Sequence, residues 1–398
     1  MLTEDLLNDA RSIAERITEL RRAIHAEPEL GLHTPKTLAK VRADLADLPL
    51  EWREGSSCTG AVAVLNHGKA GRNLLQRGDM DALPMDEETG LAFASTVPGR
   101  MHACGHDTHT AMLAGAARVL ASRVEALAGE VRFMFQPGEE GYHGARFMIE
   151  DGLLDPLPQA AFALHIMPNA PHGVIGSRAG TLLASADTLE IAVVGRGGHA
   201  SMPHQTADPV PVACEIVMAL QAMVTRRFEA TEAVVVTVTQ IDAGTAHNII
   251  PDRALLTGTI RTLSPEKRQA VWAGIRRLAE NIAAAHECSA EVTITEGFPP
   301  TVNDSRAVAL AEAVATSLPD GAFMQLPSPI MGAEDFSYEL EKVPGIMAFL
   351  GVANQGADLS RCCGIHSTRM IVDESVLPRG TAFLAGCATR FLERGWET

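Results

Sequence analysis

Four short apolar runs constrain the first half of this chain more than any other feature. They are AVAVLN (61–66), NLLQRGDM (73–80), EVRFMFQ (130–136) and AAFALHIM (160–167), and helical spacing from Met112 to Ser122 and from Ala145 to Asp151 falls between them. Runs with so little polar alternation have no face to give to water, so they belong in a sheet covered on both sides. Strands alternating with helices of this length predict an α/β fold, a mixed-sheet α/β/α sandwich, with the first two runs as neighbouring strands. On such a sheet functional residues gather where strands end and loops begin. The charged clusters of this sequence fall at those ends.

After residue 184 the pattern changes. TLEIAVVG is a strand, Asp208 to Arg227 is helical, and EAVVVTVTQI and RALLTGTIRTL are strands separated by a turn. Pro265 to Glu287 is helical, and SAEVTITEG closes with a strand. The order β-α-β-β-α-β is that of a ferredoxin-like split unit. A helix over Ser305 to Leu318, the apolar segment GIMAFLGV and a last helix from Glu374 to Leu392 then resume the earlier style. The expectation is a discontinuous first domain, residues 1–184 and 299–398, with residues 185–298 inserted as a second.

A chain of 398 residues has room for that arrangement. Hydrophobic content of 46% with 21% charged residues marks a folded protein rather than a disordered one. The formal charge of −16 argues against nucleic acid or an anionic membrane as partner, because both repel an acidic surface. No apolar run approaches the roughly 18 residues that a membrane span needs. The opening MLTEDLLNDARSIAERITELRRAIH has the spacing of an amphipathic helix and lacks the basic-then-apolar order of a signal peptide. Seven cysteines lie scattered at 58, 104, 214, 288, 362, 363 and 387, and the adjacent pair Cys362–Cys363 is poorly suited to a structural disulfide. That usage suits a reducing cytoplasm, with most thiols acting as small buried hydrophobes.

Four clusters carry metal-binding side chains. In RMHACGHDTHTAML (100–113), Cys104 and His106 are two apart, so on a helix they would face different directions. To share an ion they need a loop or extended stretch, with the helix starting at about Asp107 or with Thr108 as N-cap. Three histidines and a cysteine in eight residues fit ligand chemistry better than a buried thiol beside polar loop histidines. In FMFQPGEEGYHG a strand runs into a turn that sets Glu139 beside Glu140 with diverging side chains. One can ligate an ion while the other faces whatever that ion binds; a lone pair of this kind is otherwise a solvated acidic turn. His165 ends an apolar strand, where a histidine is more often a satisfied core residue, and His366 in GIHSTRMIVDE says nothing alone. Together they supply a thiolate, imidazoles and two carboxylates, the inventory of a two-metal hydrolytic site with one carboxylate spare as a base.

With these motifs in view, the sequence resembles a known family. RGDMDALPM, MHACGHDTHTAML, FQPGEEG, ALHIMP, GRGGHASMPH, GTAHNIIPD, GTIRT, MGAEDFSY and HSTRMIVDE occur in that order along nearly the whole chain. This is similar to the metal-dependent amidohydrolases that include hippurate hydrolases, N-acyl-amino-acid amidohydrolases and plant auxin-conjugate hydrolases, a branch of the co-catalytic metallopeptidase clan. The resemblance implies that Cys104, His106, Glu140, His165 and His366 hold two divalent metal ions per subunit, with Cys104 bridging where the wider clan uses an aspartate. Zinc is the first expectation for that set, with manganese, cobalt and nickel as alternatives. Glu139 is implied as the general base, which passes a proton from water to the leaving amine. Asp81 is read as support that orients a ligand or the base. Asp79 stands where relatives outside this branch carry the histidine of a His-x-Asp ligand motif, which puts a ligand role for this strand in question.

The inserted domain carries His199, the donor candidate for a developing oxyanion. It also carries Asn248 and Arg261, which could grip a substrate carboxylate through charge-assisted hydrogen bonds. The resemblance implies that all three reach the substrate when this domain closes as a lid, and that the same domain forms a homodimer. The expected reaction is hydrolysis of the amide of a small-molecule N-acyl amino acid, N-acetyl, N-benzoyl or similar. Two other readings stay open: a dipeptidase or aminopeptidase with Glu334 or Asp335 holding a free amine, and a catalytically silent metal-containing binding protein. Glu334 and Asp335 either line the pocket or cap the helix after them. Tyr142 and His143, where many relatives have glycines, would narrow the pocket beside the metals.

Overall fold

The structure, a computed structural model, describes residues 2–397. The chain divides into two compact units: Met1–Leu182, Val302–Ser328 and Asp335–Thr398 form one, Leu183–Thr301 and Pro329–Glu334 the other. The stretch Pro329–Glu334, which the sequence pattern assigns to the first domain, goes with the second unit. Among the described residues no helix is long and apolar enough to cross a membrane.

The first unit is α/β, built on an eight-stranded mixed sheet. Its spatial order is Leu50–Glu54, Ala61–Leu65, Gly129–Gln136, Arg72–Asp79, Ala161–Met167, Gly345–Gly351, Ile175–Ser177 and Phe323–Gln325. The first two apolar runs are therefore not neighbours. Gly129–Gln136 lies between them, antiparallel to Ala61–Leu65 and parallel to Arg72–Asp79. Every residue of that strand is buried, so both of its edges need partners. Parallel pairing also requires a crossover, which the helix His106–Ala121 supplies. Ala161–Met167 and Gly345–Gly351 continue the parallel set, so four carboxyl ends open on one edge of the sheet. The turns after Asp79 and Gln136, and His165 near its own strand end, all lie on that edge.

The crossover helix is buried on every side except at Arg118. Small residues make this possible: a Cβ on Gly115 would sit 2.9 Å from both Ile17 Cδ1 and Thr381 Oγ1. The helices Ala14–His25 and Leu377–Arg394 thus press directly on its backbone. The amphipathic opening segment forms two helices, Leu2–Ser12 and Ala14–His25, parted at Ile13.

The second unit holds a four-stranded antiparallel sheet in the order Val234–Ala243, Arg253–Thr262, Asp187–Val194 and Ser289–Thr295. Leu189, Ile191 and Leu256 of the sheet share a core with Ile216, Leu220 and Ile275 of its helices Pro209–Arg227 and Pro265–Ala285. Each helix starts as its sequence dictates: Asp208 and Ser264 accept from Val210 N and Lys267 N, and proline takes the first helical position.

One buried charge cluster ties the first unit's elements together. Arg21 Nε donates to Asp107 Oδ2 at 2.8 Å, and His25 Nδ1 lies 2.8 Å from the same oxygen. His25 Nε2 is 3.1 Å from Glu87 Oε1. Asp107 sits in the first turn of the crossover helix, where the helix dipole also favours a negative charge. Burial alone would lower the His25 pKa, but Asp107 and Glu87 outweigh it and raise it to about 9. The stability this contributes is fully present below the ordinary value near 6.5 and is lost as pH rises through about 9. Its size is on the order of 3 kcal/mol. The melting temperature should therefore fall between about pH 7 and pH 10, and His25→Gln should melt lower at neutral pH with a flatter profile. Parallel pH profiles for the two proteins would contradict the pairing.

Candidate metal centre

The turn Cys104-Gly105-His106 shapes the site. The crossover helix begins at His106 itself, not at Asp107 or after Thr108, and Gly105 precedes it at φ +87° with no side-chain cap. Asp107 does not cap; its Oδ2 is taken by Arg21 and His25. The left-handed glycine redirects the chain, so two residues that a helix would splay apart converge. A side chain is also excluded there: a Cβ on Gly105 would fall 2.5 Å from Ile166 Cγ1. Cys104 Sγ lies 3.4 Å from His165 Nε2. On the far side of that ring, Nδ1 is 2.6 Å from the carbonyl of Ile166, which can only accept. The proton therefore sits on Nδ1, and Nε2 presents its lone pair toward the thiol. Burial holds the His165 pKa well below its ordinary value, so the ring is neutral as a ligand must be.

Asp81 organises the opposite wall. Its Oδ1 accepts from Glu139 N at 3.0 Å and its Oδ2 from Glu140 N at 3.1 Å. The same Oδ1 lies 3.4 Å from His106 Nδ1. One carboxylate thus fixes the turn carrying both glutamates and faces the ring of His106. Glu139 Oε2 and Glu140 Oε1 come within 3.9 and 4.0 Å of His106 Nε2. Glu140 Oε1 is also 3.3 Å from His366 Nε2. His366, at φ +63°, donates its backbone N–H to Ala103 O at 2.7 Å, which seats its loop beside the Cys104 turn.

Two of the candidate donor groups contain the thiol, Cys104–His106–His165 and Cys104–Glu140–His366, each with its ligand atoms within 4.8 Å of one another. Cys104 is common to both. Glu139 belongs to neither and joins His106 and Glu140 in a third grouping. Both ring nitrogens of His106 are buried without a hydrogen-bond partner. Such atoms cost about 1–3 kcal/mol each when left unsatisfied, a cost that ligation removes. The electrostatics point the same way. Burial raises the Cys104 thiol, while hydrogen bonds to Cys104 and Glu140 hold His366 up at about 10. His106 is held well above its ordinary value, because Asp79, Cys104 and Asp81 outweigh its burial. Protons thus compensate the negative groups where cations would otherwise do so. Thiol, imidazole and carboxylate donors in this arrangement fit divalent ions.

Several polar residues near the site are spent on support. Asp79 takes Arg77 Nη1 at 2.5 Å and His109 Nδ1 at 2.6 Å, and His109 Nε2 accepts from Ile166 N at 2.9 Å. Both oxygens of Asp79 and both ring nitrogens of His109 are engaged in these contacts, which brace the backbone next to His165. Asp335 is fully buried, held by Arg77 Nη2 at 2.8 Å, Gln136 Nε2 at 2.7 Å and Ala145 N at 3.0 Å. Through Ala145 N it holds the first turn of the helix Gly144–Glu150. Glu334 is buried and goes with the second unit. His143, at φ +59°, stands 2.9 Å from Tyr338 Oη through Nδ1. The Tyr142 ring, about half exposed, rests on Gly31, where a Cβ would meet it at 3.2 Å.

His199, Asn248 and Arg261 all lie in the second unit, and the five candidate ligands in the first. The short strand Gly198–His199 pairs with Ile249–Ile250, and Ala200 N donates to Asn248 O at 3.1 Å, so His199 and Asn248 are brought together. His199 Nδ1 accepts from Ser201 N at 3.1 Å, which places the ring proton on the exposed Nε2. Arg261 lies on the separate strand Arg253–Thr262, half-buried, where burial lowers its pKa. The sequence pattern gave no hint of Arg21, His25 or Gln136, whose partners are all distant along the chain.

Known proteins share this design. The family model for peptidase family M20/M25/M40 matches residues 75–390. Thermostable carboxypeptidase 1 of Saccharolobus solfataricus is 38% identical over 396 residues, covering 98% of this chain and 99% of that protein. N-acetylcysteine deacetylase of Bacillus subtilis is 38% identical over 379 residues, covering 95% and 97%. A solved structure from Bacillus subtilis, described as a dinuclear metal binding peptidase from the M20 family, superposes with a TM-score of 0.84 at 35% identity. That superposition covers 96% of this chain and 99% of the other. Matched over most of its length by the family model and by relatives at these identities, the chain belongs to peptidase family M20/M25/M40.

Proposed function

We propose that this protein hydrolyses the amide bond of N-acyl amino acids, with Glu139 as general base and then general acid. The observation that carries the reading is the split between the two adjacent glutamates. Glu140 falls into a donor group with Cys104 and His366, while Glu139, held by the same Asp81, stays outside both groups that contain the thiol. Cys104, His106 and His165 would hold one divalent ion and Cys104, Glu140 and His366 the other, zinc by preference, with manganese, cobalt or nickel as alternatives. When bound, the ions supply polarisation of the carbonyl and lower the pKa of water from about 15.7 to about 7. Glu139 takes the proton of the attacking water as its oxygen reaches the carbonyl carbon. It returns that proton to the nitrogen as the C–N bond breaks, so the products leave as acid and amine with charge balanced.

Asp81 keeps the glutamate turn in place by holding both of its N–H groups. His199 Nε2–H is the proposed donor to the oxyanion, supported by the occupation of Nδ1 by Ser201. Arg261 and Asn248 are proposed to grip the free carboxylate of the amino acid. The family resemblance supports these three reaching the substrate as a lid, and a homodimer formed through the second unit, where Met218 is 71% exposed. A deacetylase of an N-acetyl amino acid among the relatives supports the substrate class. A carboxypeptidase among them supports a second reading, a peptide with a free carboxyl end. The aminopeptidase reading loses one candidate for holding a substrate amine, since Asp335 is already spent.

Glu139→Gln should keep full metal content and lose turnover by roughly a hundred- to ten-thousand-fold; full loading with surviving activity would refute the assignment of the base. Cys104→Ser should lower metal content measured by elemental analysis, because a neutral hydroxyl is a poor bridge, and unchanged stoichiometry would sink the shared-thiolate reading. On a panel of N-acetyl amino acids, N-benzoyl amino acids and free dipeptides, the acylated compounds should be cleaved. Cleavage of free dipeptides alone would overturn the proposed substrate class.

A further inference from the structure

The two donor groups are tied to each other by charges that lie outside them, on the last turn of the helix Ala14–His25. Arg21 is 1% exposed, and its guanidinium joins two segments far apart in sequence. Nε donates to Asp107 Oδ2 at 2.8 Å, and Nη1 donates to Glu374 Oε1 at 2.9 Å. Asp107 directly follows His106, and Glu374 ends the segment that carries His366 into the last helix. His25 grips the same Asp107 oxygen at 2.8 Å and reaches Glu87 at 3.1 Å. The next residue, Glu88, closes on the His366 loop. Its N–H donates to Thr368 O at 2.8 Å, and its carboxylate accepts from Thr368 Oγ1 at 3.1 Å and Arg369 Nε at 3.2 Å. One helical turn therefore braces His106, from the first donor group, and His366, from the second.

We infer that Arg21 and His25 are positioning residues that set the offset between the two donor groups and thereby govern uptake of the second divalent ion. The inference rests on the two-ion reading of the site. Two ions that share Cys104 require His106 and His366 at a fixed separation, yet each sits on its own turn. A backbone hydrogen bond from His366 N to Ala103 O ties those turns directly. A guanidinium presents its donors in a rigid planar fork, so it fixes the relative direction of two carboxylates, which a flexible ammonium does not. Buried this deeply, the fork is shielded from solvent screening, and Asp107, fully buried, has no water to replace it. A mere staple of the N-terminal helix would act differently: its loss would lower the stability of metal-free and metal-loaded protein equally.

The test uses Arg21→Lys, His25→Gln and the more exposed Glu374→Gln in the full chain. Each is titrated with Zn²⁺ by calorimetry and melted with and without the metal. Arg21→Lys and His25→Gln should bind the first ion as the parent does and the second at least tenfold more weakly, with a smaller metal-induced rise in melting temperature. Glu374→Gln should shift both readouts the same way by less, and it decides the matter if the other two do not fold. Unchanged affinity for both ions, with an unchanged metal-induced rise, would overturn the inference even if the metal-free protein melts lower. Binding of a single ion by the parent protein would instead overturn the two-ion reading beneath it.

Discussion

The site depends on burying Cys104 among carboxylates and imidazoles without leaving any charge uncompensated. A thiol this deep resists ionisation, and burial raises its pKa. His106 and His366 answer it by holding their protons, and Glu140 keeps its negative charge because His366 faces it. The orphaned nitrogens of His106 show that this balance leaves polar atoms unsatisfied. Divalent cations meet both demands at once, since they supply positive charge and take up the free lone pairs. The adjacency of two glutamates, unfavourable in an ordinary turn, becomes favourable in that setting.

Around this centre the fold supplies a second layer that leaves little to move. Four parallel strands deliver their carboxyl ends to one edge, and each neighbouring turn is pinned by a different buried acid. Asp81 fixes the glutamate turn, Asp79 with His109 fixes the backbone beside His165, and Asp335 ties Arg77 and Gln136 to the helix after the glutamates. Asp107 does the same for the Cys104 turn from the helix Ala14–His25. These four acids are at most 1% exposed. Their work is to hold geometry, which is what metal chemistry asks of the residues behind its ligands.

The sequence pattern revealed the elements better than their pairing. Apolar runs such as AVAVLN announce a strand by content, but nothing in their period says that Gly129–Gln136 separates the first two. The three-residue strands Ile175–Ser177 and Phe323–Gln325 are too short to show a period at all. The helix start slipped to His106 because Gly105 turns left-handed and Asp107 is engaged by Arg21 and His25, partners invisible to local capping rules. The clusters around Cys104, Glu139–Glu140, His165 and His366 stood out because their residue types suit ligands and fall at strand ends or pre-helix turns, but only the family resemblance singled out Cys104, His106, Glu140, His165 and His366 as the ligand set. Asp335 could not be resolved the same way, since its partners Arg77, Gln136 and Ala145 lie near the other end of the sheet's sequence. In RRAIH the buried Arg21 and His25 look like any solvated helix end.

The claim at the centre of this account is that one thiolate serves two cations. A crystal structure of the zinc-loaded protein, with anomalous scattering measured at the zinc edge, tests it most directly. The account predicts two anomalous peaks flanking Cys104 Sγ, one also contacting His106 and His165, the other Glu140 and His366, with Glu139 touching neither. A single peak, or two peaks bridged by any group other than Cys104, would contradict it.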